Sequence, residues 1–448
     1  MIKKISSKIY VSLTSNSDEA ISTRSAMLAF GIRLFSAAFV YVSHIILARW
    51  LGTKHFGVYT YVWTWVIILG QISTLGFSIA MVKHLPKYFK DGKYGEFLGL
   101  IFFGRWVSII LAIFIAGVGI GFVYIFADVA TNIYAIPLVL ALICLPLFAL
   151  VDVQEGVCRA NEWVYLALLP NYLVRPVLVL SLSAIIIYGY GVLDAQNIMV
   201  ACIVASALTA IAQLVALQVK LGKKLGIEAA KTPRVLVWKP WFKLALTLLL
   251  ADSFLLIMTN SDIVMLQYFM QPEDIAVYYA AMKTTLLVAF IYFAVVVASS
   301  NKFGEYWQND DKDKLAKAIN HSVVMTFAPS LVASLAIIAV GYWFLLAYGE
   351  DFTRGYSVIV ILSAGAIVKA ATGPAEWMMI MIGQQKMVLW VTGSAAVTNI
   401  VLNIFMIPVW GLEGAATATA IATAGSALVL FFRVRSALDI RIKFAGLF

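Results

Sequence analysis

Residues 98–126 read LGLIFFGRWVSIILAIFIAGVGIGFVYIF, a run in which Arg105 is the only charged side chain. A helix rises 1.5 Å per residue and crosses the ~30 Å hydrocarbon core of a bilayer in about 20 residues, so this stretch spans with length to spare. Runs of the same kind recur from Ala26 almost to the C-terminus, separated by short polar stretches. Of the 448 residues, 62% are hydrophobic and 12% charged, and the mean hydropathy is +0.92. Soluble domains hold about 45–50% apolar residues. A soluble fold is therefore excluded, and the bilayer is the solvent in which this chain folds.

Bounding each run by charges, Pro and Gly predicts twelve helices. Six fall at 26–47, 56–82, 98–126, 132–157, 163–188 and 195–219, and six at 240–268, 274–300, 321–348, 355–382, 387–409 and 414–433. The expected organisation is an N-terminal tail (1–23), a six-helix lobe (24–222), a loop (223–239), a second six-helix lobe (240–433) and a C-terminal tail (434–448). The basic start contains Lys3, Lys4 and Lys8 and is not followed by a short apolar segment with a small-residue cleavage site, so no cleaved signal peptide is expected.

Basic residues in short loops stay cytoplasmic. Of 33 Lys and Arg residues, twenty-four fall before the first helix, in the even-numbered loops or from Arg433 onward, and only Arg49, Lys54 and Arg354 in the odd-numbered loops. Both termini are expected on the cytoplasmic side of the membrane. The formal charge of +10 then reflects topology and contact with anionic lipid, not nucleic-acid binding. The inter-lobe loop is too short to be a catalytic domain.

The halves echo one another. Leu51–Tyr59 aligns without gaps on Met270–Tyr278, each being the turn between the first two helices of its half, and Tyr190–Leu193 is echoed by Trp410–Glu413. Six crossings is an even number, so repeats of six share an orientation and relate by an axis along the membrane normal. The fold class expected is an all-α integral membrane protein, twelve helices in two six-helix lobes with pseudo-two-fold symmetry, an arrangement that suits a V-shaped transporter with a central cavity.

Motifs of other chemistries are missing. There is no GxxxxGK[ST] phosphate loop. Gly117, Gly119 and Gly121 lie inside an apolar run, where small residues serve helix packing. The four His residues lack metal-ligand spacing, and Cys144, Cys158 and Cys202 read as packing residues. No cofactor and no metal are expected.

The informative residues are charges at membrane depth, each costing roughly 2.5–3.5 kcal/mol at a helix centre on insertion scales. Arg105 and Lys243 lie near cytoplasmic helix ends and can snorkel. Arg33 stands between the two cases. Arg175, Lys283 and Lys369 sit nearer mid-helix and ask for a polar cavity. Among the acids, Asp252, Asp262 and Glu376 are candidates for balancing these cations or for coupling to an ion. Gly373 and Pro374 lie between Lys369 and Glu376 and should bend or loosen that helix, a place for a hinge or merely for packing. Pro176, directly after Arg175, should perturb the fifth helix.

The stretch Ala48–Tyr59, ARWLGTKHFGVY, with Arg49, Gly52 and Gly57, resembles the first-loop signature of the polysaccharide flippase branch of the multidrug/oligosaccharidyl-lipid/polysaccharide exporter superfamily. Asn399–Asn403, Ile407–Pro408 and Gly411–Ala418 resemble that family's pattern across its last two helices, and Asp262 and the Arg175–Pro176 pair also fit. The resemblance implies a V-shaped alternating-access transporter of a bacterial inner membrane that flips polyprenyl-pyrophosphate-linked oligosaccharides, such as O-antigen, capsule or exopolysaccharide repeat units of lipopolysaccharide-type biosynthesis. Implied partners are that lipid-linked substrate, membrane lipids, a coupling cation (H+ or Na+), and a polysaccharide polymerase with its chain-length regulator. A diphosphate needs cations to enter a low-dielectric lumen, and Arg33, Arg175, Lys283 and Lys369 are the candidates to supply them. The alternative is a cation-coupled multidrug or small-molecule antiporter of the same architecture, which needs an acidic pocket more than a basic one. A membrane enzyme would carry a substantial loop with catalytic residues, and none is long enough.

Overall fold

The computed structural model describes residues 18–438 apart from 127, 130, 193, 231 and 310, and every regular element among them is helical. Lipid offers no hydrogen bonds to a backbone, so a spanning segment must satisfy its own, and a helix does. Residues 1–17 and 439–448 of the expected tails lie outside the described residues.

In chain order the elements are α1 (Asp18–Thr74), α2 (Phe77–Lys90), α3 (Tyr94–Phe126), α4 (Ala135–Ala160), α5 (Val164–Leu169), α6 (Arg175–Tyr190), α7 (Ala195–Ala230) and α8 (Trp238–Phe269). They continue as α9 (Pro272–Thr285), α10 (Ala289–Gln308), α11 (Lys312–Tyr348), α12 (Tyr356–Ala371), α13 (Ala375–Met381) and α14 (Gln385–Leu438). Nine helical stretches among the described residues are long and apolar enough to cross a membrane, and α8, taken as one span, makes a tenth. Two of these are double-length. α1 breaks at Gly52 (φ 68°, ψ 170°) and α14 at Gly411 (φ 55°, ψ −125°), backbone conformations that a residue with a Cβ resists. Counted on each side of those breaks, the spans are the twelve that the charge pattern predicts.

The chain forms two compact units: one from residues up to Ser43 together with Leu69–Leu249, the other from His44–Ile68 together with Leu250–Phe448. In the first, Phe77, Met81 and Leu85 of α2 pack with Phe97 and Leu100 of α3, Val153 and Val157 of α4, and Trp241 of α8. The Trp241 indole donates to the Tyr88 hydroxyl at 2.8 Å. The strap between α7 and α8 lies along the start of α3, where Val235 N–H donates to the Gly95 carbonyl at 3.0 Å. A Cβ on Gly99 would stand 2.0 Å from the Val235 carbonyl oxygen, so only glycine admits the strap.

In the second unit, Phe56 is fully buried, its ring 6.0 Å from that of Tyr279, 6.3 Å from Tyr348 and 6.1 Å from Phe352. At the next residue, a Cβ on Gly57 would fall 1.7 Å from the Pro272 carbonyl oxygen. The two turns that echo one another in sequence are thus in contact. Lipid tails are as apolar as the side chains, so close approach and aromatic packing, not water exclusion, hold such segments together.

Candidate functional site

Lys283 near the end of α9 and Lys369 near the end of α12 line one cavity of about 460 Å³ in the second unit, within the ~300–1,000 Å³ usual for ligand sites. Its walls are otherwise largely apolar, with Leu255 and Met258 of α8, Met282, Leu286 and Leu362 among them. The Lys283 ammonium sits 4.9 Å from the centroid of the Tyr279 ring, and that of Lys369 5.1 Å from the Tyr292 ring. Among the described residues neither makes an ion pair. Each ring face offers its ammonium partial compensation and leaves its charge uncancelled. Two cations that make no ion pair among the described residues could together hold an anion.

Asp262 reaches the same cavity. It is 2% exposed and is held wholly by neutral groups. Tyr278 Oη donates to Oδ2 at 2.5 Å, Thr419 Oγ1 donates to the same oxygen, and Asn403 Nδ2 donates to Oδ1 at 2.7 Å. Asn399 completes the set, accepting from Ser261 at 2.6 Å and from Asn403 at 3.1 Å, and donating to Thr419 at 2.9 Å. Asn403 Oδ1 is buried and unpartnered. Turning that amide would exchange a donor for an acceptor and line the spot with oxygens, the donor set of a hard cation. Asp262 therefore does not balance either lysine by contact.

The remaining predicted groups are placed as follows. Glu376 and Lys369 face a small cleft shared with Tyr292 and Gly373. Between them the helix does not bend but stops: α12 ends at Ala371, Gly373 has φ 63°, and α13 starts after Pro374. The side chain of Asp252 lies outside the described residues. Arg33 and Arg175 belong to the first unit, Arg33 5.9 Å from the Tyr172 ring and Arg175 5.6 Å from the Phe148 ring. Pro176 has the expected effect, one turn early. It lacks the N–H that the Tyr172 carbonyl would accept, and Pro170–Val174 widens into a π-helical turn in which Arg175 N–H donates to the Pro170 carbonyl. Arg49 donates from Nε and Nη2 to the carbonyls of Ala347 and Leu346.

The family described as polysaccharide biosynthesis protein matches residues 22–300. Among solved structures, the chain is similar to a multidrug resistance MATE family transporter of the MOP superfamily in an inward-facing conformation, with a TM-score of 0.71, 15% identity, and coverage of 92% of this chain and 98% of that one. It is similar to an outward-facing conformation of such a transporter with a TM-score of 0.66, 16% identity, and coverage of 96% and 97%. A MOP superfamily transporter from Pyrococcus furiosus, described as having a binding pocket of reverse polarity that suggests a different function, matches with a TM-score of 0.62, 15% identity, and coverage of 92% and 96%. No curated protein is similar to the chain at a significant level. With a match over more than half its length, this multi-pass membrane protein belongs to the polysaccharide biosynthesis protein family and has the fold of the MOP-superfamily transporters.

Proposed function

We propose that the protein is a flippase that carries a polyprenyl-pyrophosphate-linked oligosaccharide from the cytoplasmic to the periplasmic leaflet by alternating access. The observation that carries this reading is the cavity holding Lys283 and Lys369, two cations that make no ion pair among the described residues and stand among largely apolar walls. A cationic drug would meet like charge there, whereas a diphosphate or an acidic sugar would be drawn in and the polyprenyl tail left in the bilayer. The family match points the same way, toward surface polysaccharide such as O-antigen, capsule or exopolysaccharide.

In this reading the Asp262 cluster takes the coupling cation, H+ or Na+. A carboxylate with Asn399, Asn403 and Thr419 around it is an oxygen-rich pocket, and it opens on the cavity of the two lysines. Cation and anion would then enter a common space, each lowering the cost of the other's charge. Gly373 and Pro374, where two helices of one span part, serve as the hinge.

Loss of the gene is the test of substrate class. A deletion strain should lose surface glycan and accumulate polyprenyl-pyrophosphate-linked repeat units, and the gene in trans should reverse both. Normal glycan with heightened sensitivity to cationic drugs would favour the multidrug antiporter. The orientation is tested by reporter fusions: cytoplasmic after Lys90 and Lys312, periplasmic after Thr53, Asp194 and Gln271, in a bacterial inner membrane. Alkaline phosphatase activity after Lys90 would invert it.

A further inference from the structure

A line of hydroxyls climbs α11 in the second unit. Ser322, Thr326, Ser330 and Ser334 stand four residues apart along one ridge of that helix, and each is 3% exposed or less. At 1.5 Å per residue the line rises about 18 Å, more than half the hydrocarbon core. Three contacts fix the antiparallel register of α11 and α12. The Tyr356 hydroxyl donates to the Ile338 carbonyl at 2.9 Å, a Cβ on Gly341 would stand 3.1 Å from the Ile359 side chain, and one on Gly373 would stand 2.7 Å from that of Val323. In that register the buried Ser363 of α12 lies level with Ser334, and Ser330 lies level with Ala366. Ser330 and Ala366 both line the lysine cavity.

Packing alone does not ask for these hydroxyls. Small residues let helices approach closely, and alanine serves that purpose without a polar atom to desolvate. A hydroxyl inside a helix ordinarily returns to a carbonyl one turn back, as that of Thr326 does to Ser322 at 2.7 Å. Ser330, Ser334 and Ser363 do otherwise: their Oγ atoms are buried and have no hydrogen-bond partner among the described residues. Lower on the line, the ridge meets the break in the neighbouring span. Gly373 packs on Val323, three residues from Thr326 and so its neighbour on the helix surface, and the backbone between Ala371 and Ala375 is not helical. Such backbone is tolerated at membrane depth where it is buried in protein or lines water. A buried water makes about three hydrogen bonds, and successive hydroxyls beside an interrupted helix can supply them.

We propose that this line of hydroxyls is a hydrated proton path, running from the lysine cavity at Ser330 past Thr326 and Ser322 to the end at which α11 begins. It rests on the reading of the Asp262 cluster as the coupling site and narrows the coupled ion to H+. A proton leaving the Asp262 carboxyl passes to cavity water. Each hydroxyl or water along the ridge then accepts a proton on one side and releases one on the other, so nothing is consumed. A hydroxyl suits this relay because it both donates and accepts. A sodium ion would need its hydration shell replaced by several oxygens at once, and the ridge offers one hydroxyl per turn. Lys369 and Glu376 face the small cleft at the break. The Lys369 ammonium opposes a proton until an anion shares the cavity, which ties the path to the loaded protein.

The full-length protein tests both parts. Ser330→Cys, Ser334→Cys and Ser363→Cys are treated singly with methyl methanethiosulfonate, which reaches a site through water or lipid but reacts with the ionised thiol, so that the rate reads hydration. The parent, whose three cysteines are buried, gives the background. Each variant should react at least about tenfold faster than Val332→Cys, on the lipid face, and Leu345→Cys, in the packed interior, and any two suffice if the third does not accumulate. Rates no faster than those two controls would overturn the hydrated path. The second part uses proteoliposomes holding a purified polyprenyl-pyrophosphate-linked oligosaccharide and Thr326→Val, which keeps the shape and removes the hydroxyl. This variant should translocate at the parental rate without a gradient and lose severalfold of the acceleration that an imposed proton gradient gives the parent. Full acceleration in Thr326→Val, with none in Asp262→Asn, would overturn the path and leave the coupling site standing. A parent indifferent to a proton gradient would remove the coupling reading and this proposal with it.

Discussion

Arg49 closes the end of α11: its Nε donates to the Ala347 carbonyl at 2.8 Å and its Nη2 to Leu346 at the same distance, across nearly 300 residues of chain. The last carbonyls of a helix have no partner within it, and a cation placed on them also meets the negative end of the helix dipole. Arg49 is exposed, so the gain is at the low end for charge-assisted bonds, about 1 kcal/mol. Arg49→Ala should lower the apparent unfolding midpoint in detergent by a few degrees, and Arg49→Lys, one point charge for a fork, should recover part of it. An unchanged midpoint for the Ala variant would show that the contact carries no stability.

Gly52 and Gly57 stand in one motif for different reasons, and substitution separates them. Gly52 has open space for a Cβ but φ of 68°; Gly57 has ordinary backbone angles but no room before Pro272. Gly52→Ala should cost about 1–3 kcal/mol of backbone strain, since φ 68° with ψ 170° is a region occupied almost solely by glycine. Gly57→Ala must push the α8–α9 turn away and should lose more of the folded yield. Fluorescence-detected chromatography of the two variants compares them; equal yields would argue against the close contact.

Much of the fold is legible in the sequence because insertion obeys simple rules. Charges, Pro and Gly bound each span, and the break at Gly52 falls between two predicted helices. The site is legible only in part. Lys283 and Lys369 are picked out by the expense of a mid-span cation, but their meeting in one cavity depends on which helix faces turn inward, which apolar runs without a polar side do not declare. Asn399 and Asn403 stand in the resemblance stretch, four residues apart on one helix face, yet nothing local ties them to Asp262, 141 residues before Asn403.

Asp262→Asn preserves shape and removes the charge. A neutral amide in a site 2% exposed avoids the desolvation cost of a carboxylate, so thermal stability should stay within a few degrees of the parent. The cation response should not survive. Transport in vesicles should lose its dependence on an imposed Na+ or H+ gradient, and Thr419→Val, which removes one ligand oxygen, should weaken it. A parental gradient response in Asp262→Asn would exclude this cluster as the coupling site.

Pro374→Ala tests the hinge more cleanly than any change at Gly373, where a Cβ would come 2.7 Å from the Val323 side chain at a backbone angle that resists it. Alanine at 374 regains helix propensity of about 3 kcal/mol and favours joining α12 to α13. Expression should be normal and the transport rate reduced. Undiminished transport would leave the break as packing alone.

The central claim, that Lys283 and Lys369 in the second unit grip an anionic lipid-linked substrate, is tested most directly in proteoliposomes. A purified polyprenyl-pyrophosphate-linked oligosaccharide is incorporated, and its appearance in the opposite leaflet is followed for the parent and for Lys283→Gln and Lys369→Gln at equal protein. Gln keeps polarity and much of the length while removing the charge. Loss of one buried charge-assisted contact of about 1.5–3 kcal/mol predicts a fall in translocation of roughly tenfold or more in each variant. Parental translocation by both would contradict the account.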